Sequence, residues 1–110
     1  MSRTTKETKL AKDLLNWFDE LIEQGKPIYY EHRSGSGGFN YHRGVPDLFI
    51  VIGETHIECE LKAPDGKLSG DQEKFRWKCE RRGTPYLCPR TLDEAKGYIK
   101  KVLEERTPKL

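Results

Sequence analysis

The amino-acid sequence predicts an α/β fold in which one mixed sheet carries helices on its faces. Three observations predict it. Segments near both ends of the chain repeat apolar residues at helical spacing, a central stretch has the pattern of a β-hairpin, and a further helix pattern separates that hairpin from one more short strand. At 110 residues the chain has the length of one domain. We therefore expect a single domain over residues 1–110.

The first helix is predicted from about Thr5 to Gln24. Its apolar stripe consists of Leu10, Leu14, Trp17, Phe18 and Leu21. Gly25 and Pro27 end the helix. The run Ile28–Glu31 is rich in strand formers and predicts the first strand. In the following segment, 33–44, glycines among polar and basic residues predict a flexible loop.

The centre of the chain predicts a β-hairpin. Leu48–Ile52 is a continuous apolar run of strand length, and polar and apolar residues alternate over His56–Lys62. Gly53 and Glu54 lie between the two runs, and a glycine in first place suits a type II′ turn. A turn of that type fixes the register of the two strands.

Two helices and one strand are predicted after the hairpin. Ser69 and Gln72 have the spacing of a capping box that opens the second helix, and Gly83 ends it. The prolines that bound Pro85–Pro89 leave room for a short strand. A second capping pattern then opens a last helix, which continues to about Glu105. The predicted order is helix, strand, strand, strand, helix, strand, helix.

Composition excludes some classes of protein. Basic and acidic residues are nearly balanced, 20 against 18, so the net charge of +2 does not by itself indicate nucleic acid. No run approaches the ~20 apolar residues of a membrane span, and the N-terminus lacks the apolar stretch of a secretory signal. Three cysteines without a CxxC pair suit a reducing compartment. We expect no membrane association and a cytoplasmic location in a prokaryotic or phage-infected cell.

The hairpin brings two carboxylates together. If Gly53 and Glu54 are the loop residues, Asp47 lies opposite Glu60, and directly opposed residues have Cβ atoms ~5 Å apart on one face. Two carboxylates at that distance repel unless a cation lies between them, and oxygen ligands suit Mg²⁺. Strand alternation also places Lys62 on the face of Glu60.

This set of residues fits the hydrolysis of a phosphodiester. Asp47 and Glu60 would bind a metal that polarises the phosphoryl oxygen and binds water, with the backbone carbonyl of Leu61 as a further metal ligand. Lys62 would orient the nucleophile and stabilise the developing negative charge. The alternative interpretation is a solvated strand face, which is the usual reason for alternating charges.

The same residues resemble a known family. The segment Arg43–Asp47, the triplet Glu60-Leu61-Lys62 and the segment Ala63–Ser69 with Gln72 after it are similar to the VRR-NUC domain of the PD-(D/E)xK nuclease superfamily. The resemblance implies a restriction-endonuclease-like αβββαβ core with an extra C-terminal helix, and dependence on Mg²⁺ or Mn²⁺. It also implies cleavage of DNA, commonly at Holliday junctions or other branched structures as in DNA repair, by a homodimer.

Two more site residues follow from the resemblance. It implies that Glu7 on the first helix joins the metal site, although a charge at a helix N-terminus has the same appearance. It also implies that Gln72 lies near the metal or the scissile phosphate, which is compatible with its capping role.

Basic residues near the motif predict DNA contacts. Arg33, His42 and Arg43 belong to the glycine-rich loop, and Lys67 follows the second hairpin strand. Such side chains contact phosphates without reading bases. On the second helix, further cations at Arg76, Lys78, Arg81 and Arg82 are more typical of a solvated face. Trp17 and Trp77 are expected to pack.

Three other functions compete with a structure-selective nuclease. A sequence-specific restriction-type enzyme is disfavoured because 110 residues leave little surface for reading bases. A non-catalytic DNA-binding or assembly module that retains the nuclease fold would have no need of two opposed acids. An interaction protein with incidental hairpin charges would not bind a divalent metal, so metal binding discriminates between that possibility and a nuclease.

Overall fold

A computed structural model describes residues 5–33 and 44–106. Its elements are α1 (Thr5–Glu23), β1 (Ile28–His32), β2 (Leu48–Ile52), β3 (Thr55–Cys59), α2 (Gly70–Arg82), β4 (Tyr86–Leu87) and α3 (Leu92–Arg106). The predicted order of elements is confirmed. The strands form one sheet in the order β1-β2-β3-β4, with antiparallel pairs among the first three strands and a parallel pair between β3 and β4. The sheet is therefore mixed, as predicted.

The hairpin has the predicted register. Ile52 pairs with Thr55, and the ladder continues to Leu48 opposite Cys59. Gly53 has φ +60°, and no described residue other than glycine has a positive φ, which is the combination of a type II′ turn. Because strand side chains alternate between faces, this register determines which residues meet at the end of the pair.

One face of the sheet forms the hydrophobic core with α1 and α3. Alternate residues of β2 are fully buried on this face, and helix residues such as Phe18 and Ile99 pack against them. The members are Leu10, Ala11, Leu14, Phe18, Ile28, Leu48, Ile50, Ile52, Ile57, Cys59, Leu61, Ala95 and Ile99. The opposite face carries α2 near β4 together with two buried carboxylates, Glu58 and Glu60.

Helix α2 begins and ends as predicted. The Ser69 hydroxyl accepts the Gln72 N–H, the Gln72 side chain accepts the Ser69 N–H, and Gly83 closes the helix in the left-handed conformation at φ +76°. The expectation that Trp77 packs was wrong, since its side chain is 57% exposed. Cys79 is the buried residue of α2, and a residue two positions away lies about 200° round the helix. Trp77 therefore faces solvent, whereas Trp17 packs against the core as expected.

Strand β3 is shorter than the predicted strand. The ladder to β2 ends at Cys59, three residues before Lys62. Hydrogen bonding to the β4 side continues, because the Glu60 N–H donates to the Leu87 carbonyl at 2.9 Å and the Lys62 N–H to the Pro89 carbonyl at 3.3 Å. The segment after β3 is thus hydrogen-bonded to the β4 side, whereas the backbone ladder on its β2 side has ended and Asp47 lies there instead. No helix of the described residues is long and apolar enough to span a membrane.

Candidate active site

Asp47 and Glu60 meet where the β2–β3 ladder ends. Asp47 directly precedes β2 and Glu60 directly follows β3, one step beyond the last pair, Leu48 with Cys59. They therefore lie opposite each other, as the turn predicts. Here a side chain replaces the backbone ladder, because Asp47 Oδ2 accepts the Leu61 N–H at 3.0 Å. Glu60 is only 4% exposed, so its carboxylate is held inside the fold.

Helix α2 begins at this pair of carboxylates. The Gln72 side chain donates from Nε2 to Glu60 Oε2 at 3.3 Å while its Oε1 accepts the Ser69 N–H at 2.7 Å. One amide thus caps the helix and contacts the site, so the two roles expected of Gln72 are geometrically compatible. The capping box fixes the position of the helix end relative to Glu60.

Gly44 lets the segment before Asp47 pack against the same helix end. Its φ is +78°, and a Cβ added there would lie 2.2 Å from the Asp71 carbonyl oxygen and 2.7 Å from the Gln72 nitrogen. A side chain of any size would force the two segments apart. The glycine of the Gly-Val-Pro-Asp motif is therefore required by close backbone packing.

Arg33 holds the Asp47 segment from the other side. Its backbone N–H donates to the Asp47 carbonyl at 2.7 Å, and its guanidinium donates to the Pro46 carbonyl at 3.0 Å. The guanidinium also forms two hydrogen bonds to the Glu58 carboxylate, at 2.7 and 3.3 Å, and lies over the Phe49 ring. Contact of Arg33 with a phosphate stays a prediction, because its described partners are protein groups.

Two side chains support the turn that follows Lys62. The Ala63 N–H donates to Glu7 Oε2 at 3.4 Å, which joins the first turn of α1 to the segment that follows β3. The Arg90 guanidinium donates to the Ala63 carbonyl at 3.1 Å and also to the Gly66 carbonyl. Glu7 thus lies near the site, and its metal role stays a prediction. Arg90 was missed by the sequence analysis, since no local pattern links it to Ala63.

The β4 segment completes the face that carries the site. Glu58 pairs with Tyr86 and Cys59 with Leu87, so continuation of the parallel register places Cys88 opposite Glu60. Burial raises the pKa of the Tyr86 phenol, and the negative charge of Glu60 raises it further. Burial also raises the pKa of the Cys88 thiol. Both groups are therefore neutral near neutral pH and add no charge beside Glu60.

The oxygen donors fit a hard divalent cation. No group of three or more His, Cys, Asp and Glu side chains within residues 5–33 and 44–106 could hold a metal ion. The carboxylates of Asp47 and Glu60 would therefore supply two ligands, and main-chain oxygen such as the Leu61 carbonyl, together with water, would supply the rest. Mg²⁺ is commonly bound through one or two carboxylates while it keeps several waters. The donor set is thus compatible with this ion.

The basic residues predicted for the site and for DNA contacts differ in how far they are exposed. Lys62 is half-buried, two residues after Glu60, and a Cβ added at Gly66 would lie 3.4 Å from its Cδ atom. Lys67 is exposed on the loop before α2. His42 and Arg43 lie outside the described residues. The structure therefore brings Asp47, Glu60, Lys62, Gln72 and Glu7 to one end of the sheet.

Comparison with known proteins identifies the fold. No protein-family model matches the sequence, and no curated protein matches it. A solved structure described as "VRR_NUC domain" is similar, with a TM-score of 0.66 at 19% sequence identity over 94% of this chain and 100% of that chain. At that identity the likeness concerns the fold. The chain therefore has the VRR-NUC-like fold that its motifs predicted.

Proposed function

We propose that this chain is a Mg²⁺- or Mn²⁺-dependent endonuclease that hydrolyses phosphodiester bonds in DNA. The observation that carries the proposal is that Asp47 and Glu60 lie directly beyond the last pair of the hairpin, Leu48 with Cys59, where Asp47 accepts the Leu61 N–H. Lys62 lies two residues after Glu60. A solvated strand face does not explain this arrangement, because Glu60 is 4% exposed and is contacted by the side chain of Gln72.

Each residue has a defined part in the proposed reaction. Asp47, Glu60 and the Leu61 carbonyl hold the divalent ion, which when bound polarises the phosphoryl oxygen and lowers the pKa of a bound water. Lys62 orients the nucleophile and stabilises negative charge that develops on the phosphate. Gln72 keeps the Glu60 carboxylate in place, and burial of Glu60 keeps its charge little screened. Glu7 supports the turn after Lys62 through the Ala63 N–H, and a contact of Glu7 with the metal or its water is the part that the family resemblance adds to the proposal.

The substrate we propose is branched DNA, Holliday junctions among them, in a DNA repair setting. Arg33, His42, Arg43 and Lys67 would contact phosphates, which give affinity without base recognition. Symmetric cutting of a four-way junction requires two active sites related by a two-fold axis, so the proposal includes a homodimer. The resemblance of the motifs supports a location with cytoplasmic DNA in a prokaryotic or phage-infected cell.

A cleavage assay tests the proposal. Labelled four-way junction, flap, single strand and linear duplex are incubated with Mg²⁺, Mn²⁺ or EDTA and with Lys62→Ala alongside the unmodified chain. We expect metal-dependent cutting that Lys62→Ala lowers about 100-fold or more, the scale of loss of one charge-stabilising group. Lys100→Ala is the control, because Lys100 is exposed on α3.

The assay also separates the competing functions. Absence of cutting under every condition, with DNA binding intact, would contradict the nuclease and favour a DNA-binding or assembly module. Cutting of linear duplex at one sequence alone would contradict the preference for DNA structure. Light scattering of the free and DNA-bound chain tests the dimer separately.

A further inference from the structure

The outer face of α2 carries an aromatic residue between cations. Lys74, Trp77, Lys78 and Arg81 stand at i, i+3, i+4 and i+7, which places them on one side of the helix. All four are exposed. We call this set the Trp77 stripe. The Arg81 guanidinium lies over the indole, 4.9 Å from the ring centroid, so the cation and the aromatic face are already adjacent.

The charges of the stripe are open to an outside partner. Among the described residues, Lys74, Lys78 and Arg81 form no ion pair with a carboxylate. Two acidic residues, Glu73 and Glu80, flank the stripe, but both contact Arg76, at 3.6 and 3.1 Å. Arg76 offsets one of these two negative charges, so the stripe with its flanking residues carries four cations against two acids and keeps a net charge of +2.

The indole is not needed for packing. Trp77 is 57% exposed, and the buried side of α2 is the one with Cys79. A large exposed aromatic side chain is unusual on a purely solvated helix face, which lysine and glutamate cover at lower cost. Beside the indole is a shallow depression of about 370 Å³, lined also by Glu73, Lys74, Arg76 and Glu80. A planar group thus has access to the ring.

We propose that the Trp77 stripe binds unpaired nucleotides, with a base stacked on the indole and phosphates against Lys74, Lys78 and Arg81. Exposed aromatic rings flanked by cations are the elements of single-strand binding, because every base has a face that stacks and every phosphate is an anion. The stripe covers about 10 Å of helix axis, so its three cations are spread over a length on the scale of a few nucleotides.

The position of the stripe connects it to the candidate active site. Gln72, which contacts Glu60, lies five residues before Trp77, or about 7.5 Å along the helix axis. Trp77 lies about 140° round the helix from Gln72, so a strand that leaves the carboxylates would reach the indole by passing round α2 within a few nucleotides. The inference rests on the proposed function in taking DNA as the ligand, and it deepens that function by assigning DNA with an unpaired segment next to the cleavage point.

Binding of oligonucleotides in EDTA tests the stacking. Probes are a fluorescently labelled oligothymidine and a blunt duplex of equal length, measured by anisotropy with the full chain. We expect Trp77→Ala to weaken oligothymidine binding about tenfold or more and duplex binding less than about threefold. Tyr29→Ala is the matched control, since Tyr29 is 54% exposed but lies on β1, the opposite edge strand. Equal, small effects of the two variants would overturn the proposal.

Tryptophan fluorescence gives a second readout. The chain has two tryptophans, so Trp17→Phe leaves Trp77 as the reporter. We expect saturable quenching by unlabelled oligothymidine that stops when Arg81→Glu reverses the charge beside the ring. Unchanged fluorescence at concentrations where anisotropy shows binding would overturn the stacking.

Salt dependence tests the cations. Replacement of Lys74, Lys78 and Arg81 by alanine should reduce the slope of log affinity against log salt for oligothymidine by about 2, since each phosphate contact contributes ~0.7. Lys100→Ala with Lys101→Ala, two exposed lysines of α3, should leave the slope unchanged. Equal slopes for the two multiple variants would overturn the phosphate contacts.

These tests are independent of catalysis. Loss of oligothymidine binding in Trp77→Ala supports the stripe even if no substrate is cut, and cutting with unchanged binding in Trp77→Ala refutes the stripe while the nuclease stands. Light scattering covers a protein partner: a dimer that becomes a monomer in Trp77→Ala would overturn the proposal in favour of an interface between copies.

Discussion

The Arg33 guanidinium forms two hydrogen bonds to the Glu58 carboxylate, at 2.7 and 3.3 Å, and also contacts the carbonyl of Pro46 next to Asp47. The pair is well enclosed, with side-chain exposures of 16% for Arg33 and 5% for Glu58. Glu58 also lies 2.8 Å from His56 Nε2. Glu58 of β3 thus holds Arg33, and Arg33 in turn positions the segment that carries Asp47.

Arg33→Ala is expected to lower the free energy of unfolding by about 3 kcal/mol. The reason is that the enclosed Glu58 carboxylate loses its counter-charge, which costs more than the pair itself contributes. Urea unfolding measures the effect. The double variant Arg33→Met with Glu58→Leu should recover most of the loss, because it removes both charges. A single variant within about 0.5 kcal/mol of the unmodified chain would contradict this role of the pair.

Gly44→Ala is expected to destabilise the chain and weaken the site together. Its φ of +78° strains a residue with a side chain, and the added Cβ would meet the Asp71 carbonyl at 2.2 Å. Left-handed strain alone costs about 1 to 3 kcal/mol, and relief of the clash would move the Asp47 segment away from α2. Gly25→Ala is the matched control, with φ +87° and open space around its Cβ. Equal losses in the two variants would show that the close approach is unimportant.

The roles of Gln72 can be separated by substitution. Gln72→Glu retains a side-chain acceptor for the Ser69 N–H but brings a carboxylate to within reach of Glu60. Ser69→Ala removes the cap at a cost of about 1 kcal/mol and keeps the Gln72 amide. We expect Gln72→Glu to reduce cleavage of the best substrate at least tenfold and Ser69→Ala to change mainly stability. If Ser69→Ala lowered kcat while Gln72→Glu changed only the urea midpoint, the result would contradict a role for the Gln72 amide in the site.

The sequence predicts the site as far as local rules reach. Gly53 selects the turn, the turn selects the register, and the register brings Asp47 opposite Glu60. The Ser69 and Gln72 cap was predictable for the same reason, since the partners are three residues apart. Contacts between residues that are close in sequence can therefore be predicted from the spacing of those residues.

Other parts of the site depend on contacts between distant segments. Arg33 with Glu58 and Arg90 with Ala63 join residues that are 25 and 27 positions apart. No periodicity links such pairs, so the contact of Arg33 with Glu58 was not predicted and Arg90 was missed. The DNA contact of Arg33 stays a prediction. The exposure of Trp77 follows from its position, because Trp77 lies two residues from the buried Cys79 and therefore about 200° round the helix, whereas the apolar character of an indole alone favours packing.

Metal binding should stabilise the fold through the two opposed carboxylates. If Mn²⁺ binds the folded chain and not the unfolded chain, a free Mn²⁺ concentration of 100 times its Kd raises the free energy of unfolding by about 2.7 kcal/mol. Asp47→Asn should abolish the gain, since it keeps an oxygen for the Leu61 N–H and loses the charge. Glu104→Gln, an exposed site on α3, should not. A thermal melt with and without Mn²⁺ is the measurement, and a shift retained by Asp47→Asn would exclude this metal site.

The Tyr86 hydroxyl is expected to reduce stability at neutral pH. It is buried, and it has no hydrogen-bond partner among the described residues. Because an unpaired buried polar group costs about 1 to 3 kcal/mol, Tyr86→Phe should raise the free energy of unfolding by about 1 kcal/mol. Urea unfolding at neutral pH is the measurement. A loss of stability in Tyr86→Phe would mean that the hydroxyl is hydrogen-bonded in the folded chain.

The same residue predicts how stability falls in alkali. Burial and the nearby Glu60 raise the folded-state pKa of Tyr86 above its ordinary value of 10.0, so the folded chain holds this proton more tightly than the unfolded chain. The corresponding stability is fully present below pH 10 and is lost as pH rises above that value toward the folded-state pKa. Tyr86→Phe should therefore flatten the decline of unfolding free energy above pH 10 relative to the unmodified chain. Parallel curves for the two chains would show that the phenol titrates alike in both states and that its burial does not couple to folding.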